Sequence, residues 1–457
     1  MCRMIIYKTV GTGLLILLLL LNVKDAGAQS PGNNQTRFYS FQQIDSLSYQ
    51  AYCEKNWDEV IRIANQGLRQ GMDYYYLRIR LGIALFRQKK FVRSIPHFKK
   101  ALGLNNHDPV ALEFLYYAFI NSGRKGEADR IAGKMPATLQ KKLGIQSKYV
   151  TLFGERGTMF TPNLDSILSY RPEAAVSHHY FIYKYDYSSV GISGKINPAL
   201  GFTAAWQTMY FSARQQFNVA GFDPFQFNLP FRQNALYLGG RVFMKRGVSL
   251  IAGMQVLTAN YRVMEYRETQ EDGGSYVPVD QKYVDMAMNT ELHKRLPNLD
   301  AGLSIDINRI RSVWRYQGGL HLTWYPLGNL QLYLQGESCL TGLVQTRTTD
   351  YPVVTRILSG FQILPKCWVE GVYTFGTIRY WSENQAYVVY NNLDPLKSRA
   401  DINLLGFNIL PHLDLSLRYQ WSKRTTSWQL YQDNEPAGTE QLDYSFQSLI
   451  GGIVWKF

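Results

Sequence analysis

Beyond residue 28 the chain has no apolar run approaching the roughly 20 residues that a membrane-spanning helix needs. An ordinary helical membrane protein is excluded. Cysteine is nearly as scarce: Cys2 lies in the leader, and the remaining Cys53, Cys339 and Cys367 show no CxxC or metal-ligand spacing. An odd set of thiols is no disulfide framework. A Cys339–Cys367 bridge is chemically open in an oxidising compartment, but the strand register below puts another strand between them. Catalytic signatures are missing too, with no HExxH, GxSxG, phosphate-binding glycine loop or metal-spaced histidines. No cofactor, metal or catalytic residue is assigned, and the expectation is a protein that is not an enzyme. His178-His179 is expected to be a surface pair.

What the chain has in excess is aromatic. Phe, Trp and Tyr make up 14%, including 32 Tyr and 23 Phe, at a slightly negative mean hydropathy. Strands that alternate polar and aromatic residues produce that balance. Residues 1–28 read as a signal peptide: Arg3 and Lys8 are basic, Gly13–Leu21 is a short apolar run, and Ala26-Gly27-Ala28 precedes a cut at Gln29. A linker is expected over 29–40. The net charge of +14 sits mainly in the first folded part, where residues 29–146 carry 18 Lys/Arg against nine Asp/Glu. An exported protein is not expected to meet nucleic acid, so this excess points to an anionic polymer, lipid headgroups or an acidic protein.

From residue 41 the sequence repeats every 34 residues. Leu47, Leu81 and Leu115 are in phase, as are Trp57 with Phe91, Ile61 with Ile95 and Leu68 with Leu102. The copy "LRIRLGIALFRQKKFVRSIPHFKKALGLN" resembles a tetratricopeptide (TPR) repeat, with Leu81-Gly82, Leu85, Ser94, Phe98 and Ala101 at that family's packing positions. Gly82 lets two helices approach, while Phe98 and Ala101 fill the gap to the next pair. Pro96 is expected in the first turn of its helix. About three repeats are expected over 41–142, the minimum for a stable stack. The resemblance implies a partner-binding groove presenting Tyr49, Tyr52, Tyr76, Arg87, Tyr117 and Asn121.

After Lys142 the period changes to two. "LDLSLRYQWS" puts Leu413, Leu415, Leu417, Tyr419 and Trp421 on one face and Asp414, Ser416, Arg418, Gln420 and Ser422 on the other. "AGLSIDIN", "NLQLYLQGE", "YVDMAMNTEL" and "WRYQGGLHLTW" behave alike. Short turns, mostly with proline, fall near 196–198, 245–247, 296–299, 326–329, 365–366 and 411–412. Longer polar connections fall at 157–176, 214–230, 264–279, 382–397 and 425–440. Tight turns on one rim and long loops on the other are the pattern of an outer-membrane barrel, here over 147–457 with about 14 strands. Ala386–Tyr390 fits a loop or a strand. Inward candidates are Asp306, Arg315, His321, Glu337, Glu370, Asp414 and Arg418, expected to form a hydrated lumen of mixed charge.

The last residues, "LIGGIVWKF", put Leu449, Ile453, Trp455 and Phe457 on one face. They resemble the C-terminal targeting strand of bacterial outer-membrane barrels, which the barrel-assembly machinery recognises and which then closes on the first strand. The faces exchange near Gln447, which requires a bulge or an upper half in water. The expected fold is thus multidomain α + β: TPR-like helices, then a transmembrane antiparallel barrel.

That architecture resembles exopolysaccharide-export barrels, surface-lipoprotein translocators and YaiO-type outer-membrane barrels. It implies a cell-outer-membrane location in contact with lipid, and repeats in the periplasm that hold a periplasmic protein or exported polymer. It also implies a role in export or assembly of envelope material, polysaccharide first. The alternatives are a surface-lipoprotein translocator and a non-transporting envelope scaffold.

Overall fold

The computed structural model describes residues 38–145, 148–174, 176–267, 275–343, 352–391, 394–432 and 435–457. The expected signal peptide and most of the expected linker lie outside the described residues. Among the described residues three helix pairs come first: α1 (Phe41–Cys53) with α2 (Trp57–Arg69), α3 (Tyr75–Arg87) with α4 (Phe91–Leu104), and α5 (Pro109–Asn121) with α6 (Lys125–Ala132). The short α7 (Ala137–Lys142) follows. First helices begin at 41, 75 and 109 and second helices at 57, 91 and 125, so the 34-residue period is carried by the helices themselves. It extends to single dihedrals. Lys55, Lys89 and Gly123, in phase and each two residues before a second helix, have φ of 56°, 59° and 72°.

Local chemistry starts the helices where they start. Ser40 and Gln43 form a capping box on α1, Asn56 accepts from the Glu59 N–H, and Asp108 accepts from the Ala111 N–H ahead of Pro109. Gly82 plays the part its phase assigned. A Cβ there would stand 2.7 Å from the ring of Phe98, which is fully buried and stacked on Phe114 at 5.6 Å. Pro96 corrects the expectation: it is the sixth residue of α4, beyond the first turn, on an exposed face. The N–H it lacks would have reached Val92.

The strands are β1 (Tyr149–Phe160), β2 (Val176–Asn197), β3 (Leu200–Val219), β4 (Phe225–Asn228), β5 (Phe231–Phe243), β6 (Val248–Arg267), β7 (Ser275–Arg295), β8 (Leu299–Ile310) and β9 (Val313–Trp324). They continue as β10 (Leu332–Leu343), β11 (Val353–Leu364), β12 (Cys367–Ile378), β13 (Trp381–Glu383), β14 (Val388–Tyr390), β15 (Leu396–Leu410), β16 (Leu413–Gln432) and β17 (Glu435–Lys456). All but β4, β13 and β14 join one closed antiparallel barrel of fourteen strands. The ring is sealed by β1 on β17, from Thr151 opposite Lys456 to Phe160 opposite Gln447. Closure leaves no edge, the condition for strands in lipid.

The alternating faces segregate as their period requires. Leu303, Ile305 and Ile402 are 61%, 65% and 60% exposed on the outside, alongside Leu417, Tyr419, Ile453 and Trp455. A soluble monomer rarely shows so extensive an apolar surface, whereas a lipid-facing band must. The short turns gather on one rim. At the other end, 157–176 and 382–397 are long connections as expected, but three of the five expected loops need correction. Much of 214–230, 264–279 and 425–440 is strand, and β2, β3, β6, β7, β16 and β17 run to 20–22 residues, well past the roughly 9–11 needed to span. The exchange of faces near Gln447 has the same origin. The β16–β17 register is unbroken there, and the strand continues upward with Tyr444 and Phe446 buried inward. The three cysteines are free, and β11 separates Cys339 from Cys367.

The helices sit on the short-turn rim. Arg295 donates to the Ser122 carbonyl at 2.8 Å with its guanidinium 3.7 Å over the Tyr325 ring, and Arg130 donates to the Phe243 carbonyl at 2.7 Å. Lys195 pairs with Asp129. Gly126 lies against Phe243 so closely that a Cβ would be 2.2 Å from the ring.

Candidate functional site in the barrel lumen

The segment Ala386–Tyr390, open between loop and strand in the sequence, is turn and then strand, and it does not join the barrel wall. β13 and β14 form a separate hairpin lodged inside the barrel. Its turn is built from Asn384, Gln385 and Ala386, all left-handed with φ of 53°, 56° and 64°. Left-handed alanine costs about 1–2 kcal/mol and persists only where surroundings impose it; Ala386 is completely buried. The wall imposes it by hydrogen bonds. Ser382 donates to Asp306 (2.9 Å) through its hydroxyl and to Gln317 (3.0 Å) through its N–H; Gln385 donates to Glu291 (2.6 Å). Gln207 and Gln255 donate to the Tyr387 carbonyl at 3.1 and 3.0 Å, and Asn391 donates to Asp285 at 3.2 Å. Glu383 pairs with Arg399 at 3.0 Å. Gly253 provides the space: a Cβ there would fall 2.0 Å from the Gln385 carbonyl oxygen.

The hairpin divides the interior. On the long-strand side is a cavity of about 330 Å³ lined by Tyr185, Tyr187, Phe211, Phe231 and Tyr283 together with Arg311, Arg399, Arg418 and Arg424. Arg311 stacks 4.5 Å over Tyr283 and Arg424 4.2 Å over Phe446. Aromatic faces and fixed N–H forks in one chamber suit a ligand with both an apolar face and anionic or hydroxyl groups. A smaller cavity of about 210 Å³ lies on the short-turn side, lined by Glu291, His293, Asp306, His321, Glu337, Arg356 and the hairpin residues Ser382–Gln385.

The inward candidates separate accordingly. Asp306, His321 and Glu337 come together in the smaller cavity, where Glu337 faces Arg356 at 3.6 Å. Arg418 belongs to the larger one and donates to Asn403 at 3.1 Å. Arg315 is buried over Tyr380 at 4.1 Å, beside the entry to the hairpin. Glu370 accepts from Tyr333 at 2.6 Å. Asp414 lies at the short-turn rim, bonded to Lys456 at 2.6 Å and to the Asn408 N–H at 2.8 Å, and lines neither cavity. His178-His179 corrects the expectation of a surface pair. His179 is buried between Phe181 and Trp428 at 4.6 and 4.5 Å, and His178 stacks on Phe217 at 4.5 Å. Missed from sequence were Glu291, His293 and the hairpin. The alternation through "YVDMAMNTEL" already pointed Glu291 inward, and one more step adds His293.

On the helices, Tyr49 and Tyr76 are exposed and flank Arg80 at 5.1 and 5.8 Å. Arg87 is exposed, with its guanidinium 5.9 Å over Phe114. Tyr52 instead packs edge-on against Trp57. Tyr117 is half-buried beside Tyr116, and Asn121 lines a cleft of about 560 Å³ against barrel residues Leu330 and Trp368.

No protein-family model matches the chain, and no curated protein does. Among solved structures, a Pseudomonas aeruginosa FadL homologue aligns over 77% of this chain and 94% of its own at 8% identity and a TM-score of 0.44. The P. putida toluene transporter TodX aligns over 68% and 90% at 7% identity and 0.44. A point mutant of MamA aligns over 20% and 68% at 22% identity and 0.20. With TM-scores below 0.5, none of these likenesses bears on what this chain binds or moves.

Proposed function

We propose that this protein is an outer-membrane barrel serving export or assembly of envelope material, polysaccharide first, with its helical domain in the periplasm as the dock for a partner. The observation that carries the reading is the larger internal cavity. Its tyrosine and phenylalanine faces match sugar rings, and its guanidinium and glutamine donors match hydroxyl and carboxylate groups. The passage is closed at rest, because the hairpin lies across the lumen between the two cavities and must move before a polymer can cross. Partner recognition falls to the exposed Tyr49–Arg80–Tyr76 face and the exposed Arg87.

Replacing 381–390 with a Gly-Ser bridge tests this in planar bilayers. The parent should conduct weakly and the variant strongly, with acidic oligosaccharide reducing the variant's current. A correctly folded variant that stays closed removes the passage. That result would favour the scaffold reading, which the many hydrogen bonds anchoring the hairpin already support.

A further inference from the structure

We propose that Glu291, His293 and His321 form a binding site for a divalent transition-metal ion such as Zn²⁺, inside the barrel on the short-turn side of the hairpin. One ligand atom from each lies within 4.8 Å of the others. Ligands on a tetrahedral ion with bonds near 2.0–2.1 Å stand about 3.4 Å apart, so side-chain rotation alone closes the set. No local motif encodes it. His293 on β7 is registered opposite Gly302 on β8, which is registered opposite His321 on β9. The central position is thus the residue without a side chain. A Cβ at Gly302 would sit 3.0 Å from His321 Nδ1 and 3.1 Å from His293 Nδ1, crowding both imidazoles.

The remaining ring atoms are already engaged as a metal site needs. His321 Nε2 lies 2.8 Å from the Thr323 hydroxyl, leaving Nδ1 buried without a partner. His293 Nδ1 faces Asp300 at 3.4 Å, which directs Nε2 towards Glu291 at 2.9 Å. Outer partners that orient a ligating imidazole in this way are general in metalloproteins. Two imidazoles and one carboxylate favour zinc-like ions over calcium or magnesium, and three protein ligands leave a coordination position open to the cavity. Glu337, another acid lining this cavity, pairs instead with Arg356 at 3.6 Å. Glu291 also accepts from Gln385 of the hairpin, so an ion that fixes Glu291 fixes the hairpin's anchor.

The test uses the full-length protein in detergent, stripped with chelator and titrated with Co²⁺ as a visible probe. Stoichiometric binding with ligand-field bands that Zn²⁺ abolishes is expected. H293Q and H321Q should each weaken binding by more than about tenfold, while H97Q in the helical domain leaves it unchanged. If either lumenal variant fails to show a heat-modifiable barrel, X-ray absorption of the zinc-loaded parent decides, with imidazole scattering expected. Absence of saturable binding by the folded parent, affinity unchanged in both variants, or a zinc shell without imidazole would each overturn the proposal.

Discussion

Phe98→Ala tests the physics of the helical repeat most directly. The ring is wholly buried, lies over Gly82 and stacks on Phe114, so it joins α3, α4 and α5 in one contact. Truncating a buried phenylalanine costs about 3–5 kcal/mol, because lost transfer free energy and an unfilled cavity add. For a domain of this size each kcal/mol lowers the midpoint by about 4–8 °C, so a fall of at least about 12 °C is expected. Far-ultraviolet circular dichroism of the detergent-solubilised protein follows the helices, and heat-modifiable migration on a gel reports separately that the barrel is intact. The geometry also fixes a sign. Gly82→Leu alone drives a side chain into the Phe98 ring and destabilises. Combined with Phe98→Ala it fills the vacated space, so the double variant should be more stable than the two losses added together. A midpoint for Phe98→Ala within about 2 °C of the parent would refute the packing argument.

Arg295→Met removes a charged donor from the Ser122 carbonyl and a cation from the Tyr325 face, at a cost of about 2–3 kcal/mol. Faster proteolysis between α7 and β1, with the barrel intact, would report the loosened helical domain. His97 gives a pH dependence. Burial, then the charges of Arg78 and Arg93, pushes its imidazole down from 6.5 to about 4, against the weaker opposing pull of Asp73. The unfolded chain therefore takes up a proton that the folded domain does not, and helix stability should fall as pH drops from 6.5 towards 4, by about 1–2 kcal/mol after solvent screening. His97→Gln should flatten the helix-melting midpoint across that window; an unchanged slope would assign it to other groups. Deleting Phe457, whose side chain is exposed and whose N–H reaches the Val150 carbonyl at 3.3 Å, should lower the yield of assembled barrel in the membrane. The melting of the assembled fraction should be unchanged, and equal yields would count against a recognition role.

Periodicity alone determined the architecture. A repeat of 34 must stack helix pairs, and a repeat of two with an apolar outer face must close on itself where no water satisfies an edge. Both are local rules, so the phase of Gly82 with Phe98 and the outward set Leu449, Ile453 and Trp455 were legible before any coordinates. The lumen was not. Short-range alternation says which way Asp306, His321 or Arg418 points, but not what each meets inside. Glu291 and His321 are 30 positions apart in sequence and become neighbours only through the pairing of β7, β8 and β9. The hairpin's place depends on Gly253, Glu291, Asp306 and Gln317, residues on separate strands whose common focus exists only after closure. Sequence fixes the direction of each side chain along its own strand; the shear of one strand against the next decides which of them share a level, and that is set by the whole ring.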